Sequence, residues 1–129
     1  MKWIVIFFAV LIGGSIELYT LVKDGRLIQY FDSHPHPKYV PPVEYMIGQG
    51  LYLGSDLQNS ATYYLRIAER YPKSPLADDA YYNYLQSLDD MGTSRWTMAD
   101  AYESYLDRFP NGKHVDIVKK RVEYCRNSR

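Results

Sequence analysis

One corner of the chain occurs twice, and that recurrence limits the possible folds more than any other feature. The first copy is Arg70-Tyr71-Pro72-Lys73-Ser74-Pro75-Leu76-Ala77-Asp78-Asp79-Ala80. Pro72 ends a helix, because it has no N–H and its ring collides with the preceding turn. Ser74 suits an N-cap and Pro75 the first helical position. Asp78 and Asp79 suit the positive end of the helix dipole, a role that accounts for both carboxylates. Arg108-Phe109-Pro110-Asn111-Gly112 repeats the corner. At the same offset of about 38 residues, Gly54 falls on Gly92, Ala61 on Ala99, Tyr64 on Tyr102 and Asp78 on Asp116. A period of this length, built from helix signals, predicts repeated helical hairpins and an all-α fold.

Five helices follow from the apolar spacing. The first runs from about Val43 to Gly54, with Val43, Met46, Ile47, Gly50 and Leu53 as its core face. The second, about Asn59 to Tyr71, presents Ala61, Tyr64, Leu65, Ala68 and Tyr71. The third, about Leu76 to Met91, uses Ala77, Ala80, Tyr81, Tyr84, Leu85, Leu88 and Met91, and Gly92 suits a left-handed end. The fourth, about Thr97 to Phe109, has Ala99, Tyr102, Leu106 and Phe109. The fifth, about His114 to Arg126, has Val115, Val118, Val122 and Cys125. Ala61 and Ala99 allow close helix contact. Lys119, Lys120, Arg121 and Glu123 give the last helix a polar outer face, as a terminal helix requires.

A Gly, then Ala-x-x-Tyr, then a Tyr-Pro or Phe-Pro corner, then Ala-x-x-Ala resembles tetratricopeptide repeats. The variety it is most similar to occurs in bacterial envelope proteins, the BamD-like lipoproteins and the Tol-Pal coordinator. The resemblance covers residues 43–129 and implies a short helical-hairpin solenoid that binds other proteins, catalyses nothing and carries no cofactor. In an envelope assembly it would act as an adaptor or scaffold. The alternative is a structural accessory subunit docked into a larger membrane complex through its N-terminal apolar helix.

Residues 1–22 form a separate segment. Lys2 precedes an uncharged run from Trp3 to Ile16. A cleaved secretory signal fits the charged start, the apolar length and Gly13-Gly14-Ser15. An uncleaved anchor needs ~20 residues and so includes Glu17, which then calls for a neighbouring membrane helix or a place near the headgroups. The lack of an A-x-A-like site favours the anchor, and the resemblance implies an extracytoplasmic, periplasmic repeat domain; cleavage would release it to the periplasm. Residues 23–42 read as a linker. Asp24-Gly25 can turn, and Pro35, Pro37, Pro41 and Pro42 favour extended backbone.

Fifteen basic and fifteen acidic residues cancel, so no bulk electrostatic attraction to nucleic acid is expected. Lys113, Lys119, Lys120, Arg121, Arg126 and Arg129 make the C-terminal end basic. The single Cys125 excludes an internal disulfide. His34 and His36 flank Pro35 without a carboxylate or thiolate cluster, so no metal site is expected, and their role stays open. No phosphate-binding Gly loop, nucleophile elbow or H-E-x-x-H motif is present.

The binding site is expected on the concave face lined by the first helix of each hairpin. Glu44, Tyr45, Gln49 and Tyr52 on one helix, with Tyr82, Asn83, Gln86 and Asp89 on another, offer rings for contact area and amides for a peptide backbone. Surface cover for the core is the competing role for these tyrosines.

Overall fold

A computed structural model describes residues 1–127, and among them every regular element is a helix. The order is α1 (Lys2–Lys23), α2 (Arg26–Ser33), α3 (Val40–Leu53), α4 (Leu57–Arg70), α5 (Ala77–Asp90), α6 (Arg95–Arg108) and α7 (Val115–Asn127). Arg129 lies outside the described residues. The chain divides into two compact units, Met1–Pro35 and His36–Arg129.

In the first unit, α1 is a 22-residue helix, long and apolar enough to cross a membrane; an N-terminal signal sequence meets the same test. Gly25, at φ 74°, makes the turn into α2, which the left-handed region allows it to do without strain. The proline-rich stretch is therefore not extended throughout. Arg26–Ser33 is helical, and Pro41 and Pro42 sit in the first turn of α3. The first helical N–H groups have no intrahelical acceptor, so proline loses nothing there. His34 places Nδ1 3.0 Å from the Tyr30 carbonyl, and its ring stacks on Tyr30.

The second unit packs α3 on α4, α4 on α5, and α6 on α5 and α7. Its local punctuation repeats. Helices α4 and α6 each start after a capping side chain: Asp56 accepts from the Asn59 N–H and Ser94 from the Thr97 N–H. Both end at a ring, Tyr71 or Phe109, with nearly the same backbone angles. All these positions stand 38 residues apart, as the sequence recurrence requires.

Helices α3 and α5 stand only 37 residues apart, starting at Val40 and Ala77. The loop before α4, residues 54–56, is one residue shorter than the loop before α6, residues 91–94. Both loops close the preceding helix in the same way. The N–H of Asp56 reaches the Leu51 carbonyl and that of Thr93 reaches Leu88. The left-handed residue is Gly92 (φ 83°) in one and Ser55 (φ 64°) in the other. Gly54 is thus not the counterpart of Gly92; Ser55 is.

That shift corrects the core face of α3. Its buried residues are Val40, Pro41, Glu44, Gly48 and Leu51, while Val43, Met46, Gly50 and Leu53 face outward. In α4 to α7 the expected stripes do supply the buried side chains: Ala61, Tyr64 and Ala68; Ala77, Ala80, Tyr81 and Leu85; Ala99 and Tyr102; Val118 and Cys125. Met91 is exposed. Tyr63, Ile67, Met98 and Tyr105 join the core as well.

The corner before α5 differs in detail from the expectation. Helix α5 starts at Ala77, and Ser74 Oγ accepts from the Leu76 N–H (3.2 Å) in the preceding turn. Asp78 and Asp79 do more than stabilise a helix start. Asp78 accepts from the Tyr105 hydroxyl and the Lys113 N–H, and Asp79 from His114 Nε2 (2.8 Å) and Lys113 Nζ (3.4 Å). The first turn of α5 therefore ties down the corner between α6 and α7. Gly112 fits there because a methyl group would collide with the Tyr105 hydroxyl and Asp78.

Candidate functional site

Helices α3 and α5 lie side by side and leave a cleft of about 400 Å³ lined by Gln49, Tyr52, Leu53, Tyr64, Asn83 and Gln86. The floor is the buried Tyr64 ring, over which Tyr45 sits edge-on at 5.4 Å between centroids. Burial, then the neighbouring Tyr45, push the Tyr64 hydroxyl up to about 12, so the floor is a neutral phenol at physiological pH.

Four of the eight side chains expected in a groove converge on this cleft: Gln49 and Tyr52 from α3, and Asn83 and Gln86 from α5. The register shift accounts for it, since Gln49 and Gln86 now occupy matching positions on successive helices. The other four are placed differently. Tyr45 braces the wall by accepting a hydrogen bond from Asn83 Nδ2 (2.9 Å). Asp89 accepts from the Tyr102 hydroxyl (2.8 Å), which itself accepts from Gln86 Nε2 (3.2 Å).

Tyr82 leaves the cleft and stacks flat on His114, with 4.0 Å between centroids and 3° between planes. Glu44 is fully buried between α3 and α4, where it accepts from Arg66 Nε (3.1 Å) and Nη2 (3.0 Å). An offset of 38 residues puts it on the groove face, whereas α3 and α5 stand 37 apart. In the correct phase it sits on the core side, and a buried carboxylate requires a partner such as Arg66.

Sequence reasoning missed Leu53 and Tyr64. Leu53 was assigned to the core but is 84% exposed at the rim. Tyr64 was read as core, which it is; that its ring also floors a cleft follows from Gly48, where any side chain would press on Tyr64 at about 3.0 Å. A glycine opposite a tyrosine was the available signal. The Gln49 amide has no hydrogen-bond partner among the described residues. Asp90 accepts from Tyr52 at the far end, which raises the Tyr52 hydroxyl pKa. No basic side chain lines the cleft. Its chemistry is contact area plus amide hydrogen bonding.

The described residues contain no group of three or more His, Cys, Asp or Glu that could hold a metal ion. His34 and His36 make local contacts, with the Tyr30 carbonyl and the Lys38 N–H, and His114 reaches Asp79 across the corner. Set against known proteins, the chain matches no family model and no curated sequence.

Proposed function

We propose that the chain is a non-catalytic, tetratricopeptide-like interaction module, held at a membrane by α1, that captures a segment of another protein between α3 and α5. The observation that carries this reading is the convergence of Gln49, Tyr52, Asn83 and Gln86 around one cleft floored by an aromatic ring. The recurring caps and corners support the repeat architecture. Amide groups flanking apolar rings suit the backbone of a peptide or helix, with ring faces supplying contact area. An envelope location, with the repeats on the periplasmic side and α1 retained, is part of the proposal; release to the periplasm after cleavage of α1 is its variant.

Recovery of the native assembly from membranes tests it. Gln49→Ala with Asn83→Ala should lower partner recovery about tenfold or more, while helix content is unchanged. Full retention by that double variant, with loss on Glu17→Leu, would instead support the accessory-subunit reading. That second reading draws on the exposed apolar surface of α1 from Trp3 to Tyr19 and the Glu17 carboxylate within it.

A further inference from the structure

Helix α3 carries a face that its sister helices do not leave open. Val43 and Gly50 stand where α5 has Ala80 and Ser87 and α7 has Val118 and Cys125, and all four of those are buried. Where α5 places the polar Asn83 and Asp90, α3 places Met46 and Leu53. The result is a solvent-facing stripe with Val43 44%, Met46 69% and Leu53 84% exposed, interrupted by Gly50. The only charged residue of α3 is Glu44, and it is buried. A helix face with this 3-4-3 spacing and no charge is the pattern of a helix–helix seam.

We propose that this stripe is the interface with a second copy of the chain, formed by two α3 helices packed antiparallel about a twofold axis. The stripe is complementary to itself in size. With the axis at the level of Gly48, Met46 of each copy faces Gly50 of the other, and Val43 faces Leu53. A Cβ at Gly50 would meet nothing within 4 Å, so the socket that receives the methionine is open. It is also compatible with itself in charge, because no like charges meet across the axis.

The opposite end of the unit argues against the other copy arrangement. The outward face of α7 carries Lys119, Lys120, Glu123 and Arg126, all exposed, so head-to-tail stacking would set desolvated charges against the apolar stripe of α3. The closed, isologous pairing remains. A lipid surface is disfavoured as the occupant because α3 has no lysine or arginine to meet anionic headgroups.

The full chain in detergent micelles tests this. Because α1 can associate by itself, total mass is read beside a site-specific probe. Chains carrying Met46→Cys mixed with chains carrying Gly50→Cys should form a cross-linked heterodimer far faster than either variant forms homodimers. Met46→Glu should weaken dimerisation about tenfold or more, and mixing it with Gly50→Lys should restore pairing through the facing charges. Gly50→Ala should also weaken the dimer by filling the socket, although alanine favours the helix. Circular dichroism checks that each variant stays folded. A wild-type monomer at about 100 μM, undiminished dimer in Met46→Glu, or equal cross-linking at all positions would overturn the proposal. So would shielding of Met46→Cys that appears only when phosphatidylcholine vesicles are added.

Discussion

The same position is tied differently in the two hairpins. In the first, Glu44 on α3 meets Arg66 on α4 as a buried ion pair at 3.0 Å. In the second, the counterparts are Tyr81 on α5 and Ser104 on α6, whose hydroxyls stand 2.5 Å apart. One link is charged and costly to desolvate; the other is neutral and short-ranged. A hairpin of this shape thus needs a polar tie at that point but no particular chemistry. The difference shows up when one partner is lost. A lone buried carboxylate is expensive, whereas a lone phenol hydroxyl costs less.

The comparison breaks most readily at Arg66. Arg66→Ala should destabilise the second unit by about 3–5 kcal/mol in urea unfolding, because Glu44 keeps its buried site without the guanidinium. Ser104→Ala, its counterpart, should cost only about 1 kcal/mol. Glu44→Met with Arg66→Met should recover most of the Arg66→Ala loss, and failure to do so would mean that the ion pair is a net stabiliser.

The two loops sharpen the comparison at a smaller scale. Ser55 and Gly92 hold the same left-handed position, but only glycine does so without a Cβ penalty. Ser55→Gly should therefore raise stability by roughly 1 kcal/mol by thermal melting. An unchanged or lower midpoint would show that the serine side chain offsets its backbone strain.

The smallest effect is set by acid. Burial alone would raise the Asp79 carboxyl, but the hydrogen bond from His114 and the charge of Lys113 outweigh it and hold the group below its ordinary value of 3.8. A carboxylate with a lowered folded pKa stabilises fully above its unfolded value and loses that contribution as pH falls through the folded one. Asp79→Asn should thus flatten the stability profile below about pH 4. An unaltered acid limb would assign it to other carboxylates.

How much of this was legible in the sequence depends on the helix. The recurrence between α4 and α6 is read directly, because capping residues, small residues and corner rings all keep one spacing. Between α3 and α5 one missing loop residue rotated the phase by about 100°. An ordinary serine at the left-handed position hid the helix end that Gly92 advertises in the other loop. Apolar periodicity then pointed the wrong way, since α3 has a carboxylate on its buried face and valine, methionine and leucine outside. Matching Tyr45-x-x-x-Gln49 to Tyr82-x-x-x-Gln86 gives the right phase. The long-range work of Asp78, Asp79 and His114 was not legible, because their partners are brought together only by the corner.

The interior built from Tyr63, Tyr64, Tyr102 and Tyr105 has a consequence at the other end of the pH scale. Each of these rings is a weak acid kept from ionising: burial first, then nearby carboxylates or phenols, raise all four, Tyr63 and Tyr64 to about 12. An unfolded tyrosine gives up its proton near pH 10. Their stabilising share is intact below that point and drains away as alkali carries the pH toward the folded values. Stability should therefore fall above about pH 10 through all four rings together. The tyrosinate absorbance of these four rings should rise together with the loss of helix, so part of the ultraviolet signal reports unfolding.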